Sequence, residues 1–329
     1  MNEKRKDMST KSNIFSESKL DKLWQNVKEY RQSENFKSVM KACSRFRHLA
    51  PYNALLVEMQ RPGARFVLSE FDWRKKFDRY IKPNARPIIV MIPFGPVDFL
   101  FDISDTYQQD DNYSWNTENE ILRQLEAPYK TRENVTDELL NNFISRLSIQ
   151  GVALDKSLIA GNAYGGNIRL LDYPESINIQ VNKNMQITWK ASYLISINKN
   201  AKNGESLATL CHELGHLFCQ HLRYPEHWKE WKVRNISHDA EEFKAESVSW
   251  LVCERLGVGN PSESYLSNYL KKNEEIPSEV SIEKILYAAK EIWNMCSLDT
   301  NITYRDGLLY KYCDEFKQTV QRVQNNSKK

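Results

Sequence analysis

The sequence predicts an α+β protein: a mainly helical domain around a small mixed sheet, preceded by a smaller α+β module. Three observations carry this. Apolar residues recur at helical spacing toward both ends of the chain. Four short runs with near-alternating apolar residues cluster between residues 167 and 198. A polar stretch, SDTYQQDDNYSWNTEN, separates two regions of opposite charge.

At 329 residues the chain is long enough for two domains, and its 41% hydrophobic and 27% charged content is that of a soluble globular protein. Residues 1–100 carry a net charge of +9 and the rest a net −6, which predicts separate surfaces for separate partners. The start, MNEKRKDMSTKSNIFSES, lacks the apolar core of a signal peptide, and no apolar run approaches the roughly 18 residues of a membrane helix. The expectation is a cytoplasmic protein with no membrane partner. Six scattered cysteines without a C-x-x-C pair read as reduced thiols packed in cores.

Residues 1–14 read as a tail, and a basic α+β module follows over 15–105. Leu20, Leu23, Trp24, Val27 and Tyr30, then Phe36, Val39, Met40, Cys43 and Phe46, mark two amphipathic helices. A third begins at Pro51 and stops before Pro62–Gly63. A short strand near RFVL, a helix in SEFDWRKKF and a hairpin made of RPIIVMI and VDFLFDI complete the module. The linker spans 106–118 and the larger domain 119–325. There VTDELLNNFISRLS reads as a helix, NIRLLD, SINIQV, MQITWK and YLISIN as strands, and 204–221, 239–256, 262–271, 281–296 and 304–323 as helices.

The stretch ATLCHELGHLFCQHL carries the chemistry. At about 100° per residue His212 and His216 lie roughly 40° apart, while Leu207, Leu210, Leu214, Leu217 and Phe218 occupy the opposite face. Two imidazoles at i and i+4 offer two ligands to a tetrahedral Zn²⁺, and Glu213 stands beside them to act as base toward an activated water. The alternative is an ordinary polar helix face. A catalytic zinc needs a third ligand and an open position. A metzincin would place a histidine at 222 and a glycine at 219, where this chain has Leu222 and Cys219; His221 is one residue off register and reads as pointing elsewhere. The better source is HDAEEFKAESVSWLVCERLG, in which Glu242 would bind metal and Glu246, one turn on, would orient a ligand histidine through its other nitrogen. Asp239 with Glu242 also fits a helix capping box, Glu246 could be a plain surface residue, and Cys219 is a further, weaker ligand candidate.

These residues resemble the ImmA/IrrE metallopeptidase family. SLATLCHELGHLFCQHL followed by EEFKAESVSWLVCERLGV is similar to its HExxH helix and its E-x-x-A-[END] helix over about residues 135–300. The resemblance implies a zincin-like fold with Zn²⁺ on His212, His216 and Glu242 and with Glu213 as catalytic base. It also implies a narrow protein target, such as a repressor or the product of a neighbouring gene. Lys244 departs from the acidic residue many members carry. The expected activity is zinc-dependent endopeptidase, with substrate added as an extended strand along YLISIN. Tyr224, His227, Arg234 and His238 are candidates to stabilise the oxyanion.

APYNALLVEMQRPGARFV with IKPNARPIIVMIPFGPV resembles the N-terminal module of ArdC-type antirestriction proteins, which implies single-stranded DNA binding. Twelve Lys and Arg between residues 36 and 86, among them Arg45 and Arg47, face four acids and are interleaved with Phe46, Tyr52, Phe66, Trp73 and Tyr80. Cations for phosphate and rings for stacking suit a single-strand binder. The alternative expectation is an ArdC-like single-stranded-DNA-binding antirestriction or regulatory protein with a structural or vestigial metal.

Overall fold

A computed structural model describes residues 40, 43, 45–46, 48–49, 51–91, 97–108, 135–158, 165–231, 236–259, 266, 276–296, 298 and 301–326. The first expected helix, the tail, most of the linker and most of the helix at 262–271 lie outside them. Of the second helix, Met40, Cys43 and Arg45 are described and helical, and Met40, Cys43 and Phe46 are fully buried.

The first part is α+β. Helix α1 (Pro51–Gln60) stops just before a turn at Pro62–Gly63, where Gly63 takes φ +81. Strand β1 (Val67–Ser69) leads into α2 (Glu70–Phe77), capped by Ser69, whose Oγ accepts from Asp72 N at 3.2 Å. Then follow β2 (Tyr80–Ile81), β3 (Ile88–Val90), β4 (Asp98–Asp102) and β5 (Thr106–Tyr107), the last inside the expected linker. β4 lies between β1 and β3, antiparallel to both, so the expected hairpin forms. The outer edge of β3 is closed by side-chain amides from α1. Gln60 exchanges two hydrogen bonds with the Ile89 backbone (2.7 and 2.9 Å), and Asn53 does the same with Met91 (2.8 and 3.0 Å). These amides stand in for a further strand on an edge that would otherwise expose unpaired backbone groups.

In the second part α3 (Asp137–Ser145) is capped by Thr136. The sheet holds β6 (Val152–Leu158), β7 (Gly166–Leu170) and β10 (Tyr193–Asn198), with β8 (Ser176–Asn182) and β9 (Met185–Lys190) as a separate antiparallel hairpin. β10 is central, parallel to β6 and antiparallel to β7. This corrects the expectation for YLISIN: both its edges are already paired, so no substrate strand can add there. The two outer edges, among the described residues, belong to β6 and β7, and it is β7 that packs against α4. β6 was not foreseen, because VALDKSL has no clean alternation.

Helix α4 (Asn203–Phe218) packs on β7 and β10, α5 (His238–Leu256) packs against α4, and α6 (Ile282–Cys296) against both. The helix expected over 304–323 is broken into a short turn at Tyr304–Asp306, α7 (Leu308–Tyr312) and α8 (Asp314–Asn326). Gly307 sits at the first break with extended backbone. A Cβ there would stand 2.1 Å from Ile149 O, so only glycine permits this approach.

One buried apolar cluster runs from Met40 and Cys43 through α1, α4, α5 and α6 to Val320, and Arg255 donates to Leu49 O at 2.7 Å across it. All six cysteines are buried free thiols. No helix among the described residues is long and apolar enough to cross a membrane.

Candidate metal centre

The apolar face of α4 is fully committed to the core, with Leu207, Leu210, Leu214 and Leu217 at most 1% exposed, so the helix cannot rotate and its other face is fixed toward α5. Gly215 lets the two helices close. A Cβ there would lie 3.1 Å from Ala245 Cα, and this approach brings Glu242 opposite the histidines.

Three ligand side chains converge. His212 Nε2 and His216 Nε2 are 3.1 Å apart, Glu242 Oε2 is 3.5 Å from His212 Nε2, and Glu242 Oε1 is 3.4 Å from His216 Nε2. A tetrahedral ion with bonds of about 2.0–2.1 Å requires ligand–ligand edges of about 3.3–3.4 Å. The spacings come close to this, with the two carboxylate edges running to different Glu242 oxygens, and among the described residues this is the one group of three such side chains able to hold a metal. Glu246 Oε1 stands 3.5 Å from His212 Nδ1, the place of an orienting carboxylate. The capping-box reading of Glu242 fails, because α5 is capped by Ser237, whose Oγ accepts from Ala240 N at 3.3 Å. Cys219 is buried away from the triangle, its Sγ directed at Lys284 O.

Charge is unevenly held. Burial works against a proton on His212, but hydrogen bonds to Glu242 and Glu246 outweigh it and lift its pKa to about 10. His212 in turn holds Glu242 below the usual carboxylate range. Burial, then the neighbouring His212, pushes His216 down to about 4. Glu213, 6% exposed, is raised to about 7 by burial, with His212 opposing and Glu242 adding to the shift, and it accepts a hydrogen bond from Ile168 N–H. That contact sets the catalytic candidate against β7. Leu171 N donates to Ser192 O and Asn198 N to Gly165 O, so odd-numbered residues of β7 bond to β10, and Gly166, Ile168 and Leu170 turn their backbone groups to the free edge.

His221 does not point elsewhere. α4 ends at Cys219, Gln220 takes φ 62, Gln220 N bonds to Leu217 O, and His221 N bonds to His216 O at 3.0 Å. This six-to-one closure folds the chain back, and His221 Nδ1 lies 2.9 Å from His216 Nδ1. Helical-wheel reasoning misses it, since His221 is no longer on the helix; the signal would have been a stop after Cys219, but Gln220 occupies the position where glycine usually announces one. Burial and then the cation of Lys244, itself 1% exposed, hold His221 neutral. Of the proposed oxyanion residues, His238 is near the triangle (Nδ1 3.8 Å from Glu242 Oε1), Tyr224 packs against Trp231, His227 lines a separate cleft, and Arg234 lies outside the described residues.

No known family profile matches the chain, and no curated protein does. The likeness to ImmA/IrrE peptidases therefore rests on the motif residues alone. Two solved structures are similar, both of the antirestriction protein ArdC from plasmid R388. The Mn(II)-bound form has a TM-score of 0.35 at 13% identity and the metal-free form 0.31 at 12%, each over 75% of this chain and 80% of that one.

Proposed function

We propose that this chain is a metal-dependent peptidase acting on an extended protein segment. The observation that supports it is the convergence of His212, His216 and Glu242 at near-ligand spacing, with a buried carboxyl, Glu213, held beside them against the outer edge of β7. His212, His216 and Glu242 would hold the ion. When bound, a divalent metal supplies Lewis acidity, polarising a carbonyl and making water easier to deprotonate. Glu213, with a pKa near neutrality, takes a proton from the attacking water and returns it to the leaving amine nitrogen. The backbone groups of Gly166 and Leu170, with the Ile168 carbonyl, receive the substrate by strand addition, while Ile168 N–H holds Glu213. Zn²⁺ suits the two-histidine, one-glutamate set; the similar ArdC protein was solved with Mn(II), so both ions belong in the test.

The experiment compares proteins from cells expressing the wild type or Glu213→Gln. Loss of specific cleavage products in the variant, with metal content and thermal midpoint preserved, supports the peptidase. Identical protein profiles with both variants folded and metal-loaded sink it.

A second reading is an ArdC-like single-stranded-DNA-binding antirestriction or regulatory protein with a structural metal, and the description of the two similar structures agrees with it. What supports it here is an exposed ring-and-cation surface on the first part. Phe71 is 70% and Phe99 48% exposed, and with Arg74 they line a cleft of about 640 Å³, while Lys75 lies over the Phe71 ring. The rings singled out from the sequence are not those: Phe46 and Trp73 are fully buried. Arg45 pairs with Glu58, and Arg79 is buried on Thr106.

A further inference from the structure

The outer edge of β7 leads past Glu213 into the cleft that His227 lines. Ile168, whose N–H holds Glu213, lies two residues before Leu170, about 7 Å along the strand. At Leu170 the edge opens into a space of about 950 Å³, enclosed by Leu170–Asp172, the chain from Thr188 to Ser192 and the loop around Glu226. A segment added along β7 beside Glu213 therefore runs into this cleft.

Its lining has two kinds of surface. Leu170, Leu171, Pro225 and Trp189 make apolar walls, and the Trp189 ring is set edge-on to Phe316 with centres 5.2 Å apart. Asp172, Glu226 and Glu315 add three exposed carboxylates, none of them in an ion pair. Asp314, next to Glu315, is by contrast matched by Lys229 and Lys317 at 3.1 and 3.2 Å. Lys190 and the His227 imidazole stand against the three acids, so the cleft keeps a negative balance. Ser192 lines it too; the residue is 5% exposed, and its Oγ has no hydrogen-bond partner among the described residues. A buried hydroxyl left in that state is costly, and a bound group that donates to it removes the cost. Apolar walls suit the aliphatic stem of a long side chain, while carboxylates and a hydroxyl acceptor suit its cationic head. We propose that this cleft is a specificity subsite of the peptidase and takes a lysine or arginine side chain within about three residues of the bond that is cut. The inference rests on the peptidase reading of the metal centre.

The test uses the full chain loaded with Zn²⁺ and a mixture of synthetic decapeptides of random sequence. Sequencing the wild-type products is expected to show lysine or arginine about 10-fold over-represented at one position fixed relative to the cut bond, the scale of a few exposed charge contacts acting together. Asp172→Asn, Glu226→Gln and Glu315→Gln, combined in one variant, should bring that ratio near one. All three side chains are exposed, so the changes spare the core. Binding is read apart from cleavage by passing the same mixture over immobilised Glu213→Gln protein with and without the three changes; retained peptides should carry the basic excess only when the carboxylates are present. Cleavage with no positional excess, or an excess that the triple variant keeps, overturns the inference and leaves the peptidase standing. Retention of basic peptides by Glu213→Gln with no cleavage by the folded, Zn²⁺-loaded wild type overturns the peptidase and the subsite with it. Neither cleavage nor retention overturns both.

Discussion

Glu246 Oε1 faces His212 Nδ1 at 3.5 Å, while Glu242 Oε2 faces Nε2 of the same ring at the same distance. One imidazole is thus held between two carboxylates one helical turn apart on α5, and only Glu242 also reaches His216. Removing the two should have unequal consequences. Glu242→Ala deletes a ligand and is expected to abolish tight binding of one divalent ion per chain, as is His216→Ala. Glu246→Ala leaves the triangle intact and should weaken binding by about 10- to 100-fold. Metal content after dialysis against a graded chelator measures both, and a larger loss for Glu246→Ala would exchange their roles.

Gly215 governs how close those carboxylates come. Its missing side chain lets α4 approach Ala245 and Val248 on α5. Alanine there gains about 1 kcal/mol of helix propensity while pressing on backbone that cannot yield, so the two effects roughly cancel. Valine adds two more carbons to the same contact. Gly215→Val is expected to cost about 1–3 kcal/mol by denaturant titration and to loosen metal binding, because Glu242 rides on the displaced helix. Unchanged metal affinity in a destabilised Gly215→Val would separate the helix contact from the ligand geometry.

In the first part, Asp102 ties β4 to the chain leading into β1. Burial works to raise its pKa, but hydrogen bonds from Ser104 Oγ and N (2.6 and 3.0 Å), Arg65 N (2.7 Å) and Phe66 N (3.1 Å) outweigh it and hold the carboxyl below its ordinary value. A depressed carboxyl contributes stability that is complete above its unfolded pKa, near 4, and is lost as pH falls through the folded value. Asp102→Asn replaces an acceptor with an amide facing donors and should cost about 1–3 kcal/mol at pH 7. The difference from wild type should shrink below pH 4. Thermal midpoints across pH 3–7 read it out, and a difference that stays constant over that range would remove Asp102 from the account.

The site is legible in the sequence wherever one helix or one spacing decides. His212 and His216 share a face because α4 has a clear apolar stripe, and Glu242 and Glu246 lie one turn apart on the next helix. What depends on the path of the chain between elements is not legible. The strand order that buries YLISIN and frees β7 is set by β6, whose pattern gives no strand signal. The return of His221 depends on a left-handed Gln220, held by Lys284 Nζ at 2.7 Å from its Oε1. The basic module misleads for a related reason: rings at helical spacing, such as Phe46 and Trp73, are spaced that way because they are core.

The exposed rings make the last expectation specific. Ile89 and Phe99 are cross-strand partners on the outer face of the first sheet, and Phe71 on α2 stands across the cleft from Phe99 with Arg74 beside it. A single strand would stack bases on Phe71 and Phe99 and place phosphates near Arg74 and Lys75. Phe99→Ala is expected to cost about 1–3 kcal/mol of binding to an oligothymidine with little change in salt dependence. Replacing Arg74 and Lys75 with glutamine should instead flatten the slope of log affinity against log salt by about 1.4 units, since each phosphate contact on a single strand contributes about 0.7. Neither change touches the core, as all three side chains are largely exposed. Fluorescence anisotropy of the full chain at two salt concentrations distinguishes the two effects. No binding at low salt, or binding that both variants retain, would leave this face without a nucleic-acid role and return the first part to the service of the metal domain it packs against.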